Sequence, residues 1–119
     1  MRRILYVEDD PINALIMQKL LRSEYDVQLA TNGKACLRMV REQAFELILM
    51  DINLGRGEMN GVEVMQRLKV DFKTLPVIAV TAYAMPEDET RFLELGFDGY
   101  VVKPIDRKLI LEYINGFFH

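Results

Sequence analysis

Residues 47–51 read Leu47-Ile48-Leu49-Met50-Asp51, four apolar side chains running straight into a carboxylate. A short apolar run without alternation suits a strand covered on both faces, the situation of strands in parallel sheets. Working outward, four further stretches have strand character: Ile4-Leu5-Tyr6-Val7, Val27-Gln28-Leu29-Ala30, Val77-Ile78-Ala79-Val80 and Tyr100-Val101-Val102. A strand, then a helical pattern, then another strand is the signature of parallel pairing with right-handed crossovers.

The intervening stretches carry helix signals. Asp10-Pro11 is an N-cap followed by proline at the first helical position. After it Ile12, Leu15, Ile16 and Leu20 share one face at spacings of three and four. Asn32 caps a helix carrying Cys36, Leu37 and Val40, and Gly61 precedes one with Val64, Met65 and Leu68. Pro86 with Glu87, Asp88 and Glu89 suits the positive start of a fourth helix, and Gly96 suits its end. Asp106 caps the last, which sends Ile110 and Ile114 inward and Leu111 and Tyr113 toward its sides. The expected architecture is α/β, a doubly wound five-stranded parallel sheet with five helices, in one domain spanning 1–119. Residues 55–61, Gly55-Arg56-Gly57-Glu58-Met59-Asn60-Gly61, form its one loose, glycine-rich loop.

Composition narrows the function. The 119 residues are 50% hydrophobic and 28% charged, with a net charge of −3. That balance carries no polybasic footprint for nucleic acid. No apolar run reaches the length of a membrane span, and acids follow Met1-Arg2-Arg3 too soon for a signal peptide. Cys36 is the single cysteine, so neither a disulfide framework nor a cysteine metal site is expected. A cytoplasmic protein is the expectation. His119, the single histidine, ends the sequence and is given no role.

In an open α/β sheet, ligands bind beyond the carboxyl ends of the strands. Glu8, Asp9 and Asp10 follow the first strand, Asp51 ends the third, Thr81 the fourth and Lys103 the fifth. Crowded carboxylates resist full ionisation, and a hard dication with oxygen ligands relieves that. Mg²⁺ takes one or two carboxylates together with waters and phosphate oxygens. A lysine and a hydroxyl opposite suit phosphate oxygens. Such a rim suits phosphoryl transfer, where positioning and charge neutralisation dominate. Taken singly, each residue has a plain structural use: Asp10 as a cap, Asp51 as a turn residue, Thr81 as a strand end, Lys103 as a surface lysine. Their gathering at one end of four strands favours the chemical reading.

Four segments, Val7-Glu8-Asp9-Asp10-Pro11, residues 47–54 (Leu-Ile-Leu-Met-Asp-Ile-Asn-Leu), residues 80–85 (Val-Thr-Ala-Tyr-Ala-Met) and residues 99–105 (Gly-Tyr-Val-Val-Lys-Pro-Ile), resemble the receiver domain of bacterial response regulators. The resemblance runs in order over essentially the whole chain. It implies a flavodoxin-like sheet of order 2-1-3-4-5. Asp51 would be the phosphoacceptor, with Glu8 and Asp9 holding Mg²⁺ (or Mn²⁺ in its place) together with Asp51 and the backbone carbonyl of Asn53. Thr81 and Lys103 would meet the acyl phosphate, and Thr81 would act with Tyr100 as the switch. The Lys103–Pro104 bond would be cis. Asn53 and Tyr83, each two positions past a rim residue, would set the lifetime of the phosphorylated form.

The implied function is a phosphorylation-dependent switch of a two-component or phosphorelay system. The donor would be a histidine kinase or histidine phosphotransfer protein. The domain would catalyse nothing but its own phosphorylation and slow dephosphorylation, and would pair with a second copy through the fourth helix, fifth strand and fifth helix. Two departures stand out. The acidic pair is Glu-Asp rather than Asp-Asp, and the loop after Asp51 lacks the usual proline and runs longer before Gly61. A pseudo-receiver without phosphorylation is the alternative, although such modules lose the acceptor, the acidic pair or the lysine. A phosphatase of the haloacid dehalogenase type needs a second aspartate two residues past the nucleophile, where this chain has Asn53.

Overall fold

A computed structural model describes residues 1–54, 59–82 and 86–118. Elements alternate along the chain: β1 (Arg2–Val7), α1 (Pro11–Leu21), β2 (Tyr25–Ala30), α2 (Gly33–Glu42), β3 (Leu47–Asp51), α3 (Gly61–Asp71), β4 (Val77–Thr81), α4 (Pro86–Leu95), β5 (Gly99–Val102) and α5 (Arg107–Asn115), closed by a 3₁₀ turn at Gly116–Phe118. All strand pairs are parallel and the sheet order is β2-β1-β3-β4-β5, the arrangement the sequence resemblance implied. Among the described residues no helix is long and apolar enough to cross a membrane.

The period-two alternation of the strands feeds two cores. Leu5, Val7, Ile48, Met50, Val77 and Ala79 face the side covered by α2, α3 and α4. Ile4, Tyr6, Leu47, Leu49, Ile78 and Val80 face the side covered by α1 and α5. Every residue of β3 and β4 is buried, which is why these segments read as unbroken apolar runs.

The helix boundaries follow the capping chemistry. Asp10, Asn32 and Asp106 each accept a first-turn amide on the side chain. α3 begins with a reciprocal capping box: the Glu63 amide donates to Asn60 Oδ1 at 2.9 Å, and the Asn60 amide donates to Glu63 Oε1 at 3.3 Å. α4 ends at Gly96, whose φ of +121° lies where a side chain would be strained. There the amides of Gly96 and Phe97 return to the carbonyls of Leu93 and Phe92, a Schellman closure.

One expected face turns the other way. Ile12, Leu15 and Ile16 of α1 are exposed, Ile12 by 68%, while Ala14, Met17 and Leu21 are buried. Both stripes have helical spacing, because α1 is apolar around most of its girth. Docking decides between them, and the Gln18 side-chain amide donating to the Val27 carbonyl at 2.9 Å fixes the rotation. In α5, Ile110 and Ile114 point inward as expected. Leu111 is buried as well, and Tyr113 is half-buried.

Candidate functional site at the carboxyl ends of β1, β3, β4 and β5

The sheet order reverses direction at β1, so the crevice between β1 and β3 is a topological switch point. Glu8 and Asp9 leave β1 on one side of it, and Asp51 ends β3 on the other. The Glu8 amide still pairs with the Ala30 carbonyl at 2.9 Å. That contact extends the strand alternation by one residue and brings the Glu8 side chain back toward Tyr6, whose hydroxyl donates to Glu8 Oε1 at 3.3 Å. Asp9 points to solvent, while Asp10 is taken up in capping α1 through the Ile12 amide at 2.9 Å. Glu8 is 2% and Asp51 4% exposed.

One carboxylate oxygen from each of Glu8, Asp9 and Asp51 lies within 4.8 Å of the others. Lys103, immediately after β5, donates to Glu8 Oε1 at 3.2 Å and to Asp51 Oδ2 at 3.5 Å. The Lys103–Pro104 peptide is cis, as the resemblance implied. Thr81 is buried at the end of β4, and its carbonyl accepts from the Lys103 amide at 2.7 Å. The Asn53 amide donates to Asp51 Oδ1 at 3.0 Å, and the Asn53 side chain is exposed. Gly61 closes this loop: its amide faces the Ile52 carbonyl, and a Cβ there would overlap the Asp51 backbone oxygen.

The charges push on one another. Burial raises the Glu8 acid above the ordinary carboxylate range. Asp51 raises it further, and Lys103 offsets part of this. Burial pulls the Lys103 ammonium down, but Asp51 and Glu8 together outweigh burial and hold its pKa above the ordinary lysine value. Lys103 is therefore a fixed cation facing the Glu8 and Asp51 carboxylates. The donor set of three hard carboxylate oxygens fits Mg²⁺.

The structure thus gathers Glu8, Asp9, Asp51 and Lys103 into one cluster, with Thr81 at the adjoining strand end. Tyr100 lies on β5 with its ring 6.2 Å from that of Phe92, centroid to centroid, and is half-buried. Tyr83 and His119 lie outside the described residues, as do residues 55–58 of the glycine-rich loop. Tyr6 is the rim partner that the sequence reading passed over. Inside an apolar run a tyrosine reads as strand filler, and the one signal of its role is its spacing of two from Glu8.

A profile of the response regulator receiver domain matches residues 4–115. The chain belongs to the receiver domain family of response regulators. This receiver is 38% identical over 119 residues to the polar-differentiation response regulator DivK of Brucella anthropi, covering 98% of the chain and 95% of that protein. It is 38% identical over 104 residues to the transcriptional regulatory protein ZraR of Escherichia coli (strain K12), covering 87% of the chain but 23% of that protein. The receiver therefore spans about a quarter of the length of ZraR. Its fold superposes on a CheY-like receiver domain protein from Methanospirillum hungatei with a TM-score of 0.85, at 30% identity over 98% of this chain and 92% of that one. The chemotaxis response regulator CheY4 of Vibrio cholerae shares the fold with a TM-score of 0.89 at 23% identity, over 98% of each chain. Receiver domains are signalling modules of two-component systems rather than turnover enzymes. They bind Mg²⁺ and interact with kinases or phosphotransfer proteins.

Proposed function

We propose that residues 1–119 act as one phosphorylation-dependent switch, with Asp51 as the acceptor. The carrying observation is the placement of the Asp51 carboxylate: buried, within 4.8 Å of Glu8 and Asp9 oxygens, and faced by the Lys103 ammonium. An Asp51 oxygen attacks the phosphorus of a phosphohistidine on a histidine kinase or histidine phosphotransfer protein. The new O–P bond forms as the P–N bond breaks, and the imidazole nitrogen keeps the electron pair.

Glu8, Asp9, Asp51 and the Asn53 carbonyl would hold Mg²⁺, which supplies charge neutralisation on the phosphoryl oxygens. Lys103 exchanges its contact with Asp51 for one with the phosphoryl group. Thr81 turns its hydroxyl toward the same group, and Tyr100 responds. The Asn53 side chain, exposed two positions past the acceptor, is assigned the orienting of the hydrolytic water. Tyr83, outside the described residues, is assigned the obstructing role, and phosphate loss faster in Tyr83→Ala or Tyr83→Glu than in wild type is the expected outcome.

Two exposed apolar surfaces border the rim. Beside the exposed Ile12 and Leu15 of α1, Ile16 lines a groove of about 400 Å³ together with Asn13, Leu20, Lys103, Pro104 and Ile105. Its lining includes Lys103, which contacts Asp51, and this supports its reading as the docking face for the phosphohistidine donor. Leu93 on α4 and Leu109 on α5, with Val101 and Val102 of β5, offer a second face for pairing with another copy.

Intact mass spectrometry after acetyl phosphate treatment tests the acceptor. One phosphoryl group should add in the presence of Mg²⁺, none with a chelator, and none in Asp51→Asn. An unchanged wild-type mass with Mg²⁺ and several donors would leave the pseudo-receiver reading standing instead.

A further inference from the structure

β5 is the outer strand of the sheet, held on one side by β4 through the register Ile78↔Gly99 to Thr81↔Val102. Its outward amides have no neighbouring strand to bond. The amide of Tyr100 is bonded all the same: it donates to the hydroxyl of Tyr113, on α5, at 3.0 Å. The contact is built into both elements. A Cβ at position 99 would overlap the Tyr113 hydroxyl, so the glycine beside Tyr100 is what lets the phenol reach the strand. The Tyr113 ring is held edge-on by Phe117, with centroids 5.4 Å apart and planes at 69°. Burial raises the pKa of the phenol, which remains a neutral hydroxyl at physiological pH.

Tyr100 is thereby joined to two helices by different parts of itself. Its ring lies against Phe92 of α4, and its backbone is tied to Tyr113 of α5. At the other end of β5, the Lys103 amide is bonded to the Thr81 carbonyl at 2.7 Å, so the strand is also anchored to the rim. When Thr81 and Lys103 turn toward a phosphoryl group, a displaced β5 must carry Tyr113 with it or break this bond.

We propose that Tyr113 is a positioning residue of the switch: its hydroxyl bond to the Tyr100 backbone couples the state of the Asp51 rim to α5. This rests on the reading of Asp51 as acceptor and of Thr81 and Tyr100 as the switch pair. The bond acts through Tyr100 and touches neither the acceptor nor the metal ligands. Tyr113→Phe removes the bond while keeping the ring against Phe117. Gly99→Ala displaces the hydroxyl from the other side of the same contact, and the two variants should behave alike.

The experiment is amide NMR of the full 119-residue chain with Mg²⁺, with and without beryllofluoride, in wild type, Tyr113→Phe and Gly99→Ala. In wild type, shift changes should run from the rim through Tyr100 into residues 107–115. In both variants, the changes at Asp51 and Thr81 should persist at unchanged beryllofluoride affinity. The response of α5 should fall about fivefold, the worth of one neutral hydrogen bond. Hydrogen exchange at the Tyr100 amide should accelerate in both. Rim changes with an unaltered α5 response in Tyr113→Phe would overturn the coupling, and so would a wild-type α5 that stays silent while the rim responds. Absence of any rim change in wild type would overturn the acceptor reading itself, and the coupling with it.

Discussion

At the scale of single residues, Lys103 decides the electrostatics of the rim. It is the cation seen to contact Glu8 and Asp51, and its side chain is partly open to solvent. Removing one partner of a buried ion pair leaves the other charge uncompensated. Lys103→Met should therefore destabilise the fold at neutral pH by about 1–3 kcal/mol, below the cost of breaking a fully buried pair because the lysine is partly solvated. Divalent cations should restore part of that loss, so Mg²⁺ should raise the melting temperature more in Lys103→Met than in wild type. Thermal melts with and without Mg²⁺ measure this, and an equal Mg²⁺ effect in the two proteins would contradict the assigned metal site. Asp51 phosphorylation by acetyl phosphate should fall in the same variant, because the ammonium is then missing from the phosphoryl oxygens.

At the scale of elements, α1 separates the residues that fold the protein from those free to meet a partner. Met17 is buried and Ile12 exposed, yet both are large apolar residues of one helix. Met17→Ala should cost about 2–5 kcal/mol of stability, as expected for a truncated core side chain. Ile12→Ser and Leu15→Ser should stay within about 0.5 kcal/mol of wild type. Ile16→Ser, which alters the groove lining, should slow phosphotransfer from a phosphohistidine protein while leaving acetyl phosphate reactivity intact. Denaturant titrations and donor assays read the two effects separately. In α3 the capping box sets the start of the helix beside the acceptor loop, and Asn60→Ala should cost about 1 kcal/mol by chemical denaturation.

At the scale of the whole molecule, several buried acidic groups make the fold sensitive to alkali. Burial in the α2 core pushes the Cys36 thiol up to about 12. Tyr6, Tyr25 and Tyr113 are all raised too, in each case by burial first. A folded-state pKa above the unfolded one means that the native state holds its proton more tightly. The associated stability is fully present below the unfolded value, about 8.5 for cysteine, and is lost as pH rises toward the folded value. Unfolding free energy should therefore decline by up to about 1.4 kcal/mol per pH unit between roughly 9 and 10 from Cys36 alone. It should decline more steeply above about 10, where unfolded tyrosines ionise. Cys36→Ala should flatten the first part of that decline while leaving the second. Urea titrations across this range give the slopes, and an unchanged slope in Cys36→Ala would refute the assignment to the thiol.

Much of this was legible in the linear order of residues, because local chemistry writes itself into sequence. A doubly covered strand must be apolar throughout, hence Leu47–Met50 and Val77–Val80. A helix start must satisfy its free amides, hence Asp10, Asn32 and Asp106. The strand-end residues Glu8, Asp9, Asp51, Thr81 and Lys103 follow from those boundaries, and the family pattern then supplied their order in the sheet. What the chain alone left open was set by long-range packing. Two stripes of α1 had equal helical spacing, and contact with the sheet selected Ala14, Met17 and Leu21 as the buried one. Tyr6 became a rim partner because the alternation of β1 returns Glu8 to its side. Leu111 went inward because α5 packs into the core shared with α1, and Tyr113 found the Tyr100 amide because β5 is an edge strand. Periodicity fixes which residues share a face, but the direction of that face is a property of its neighbours, and these come from parts of the chain far away in sequence.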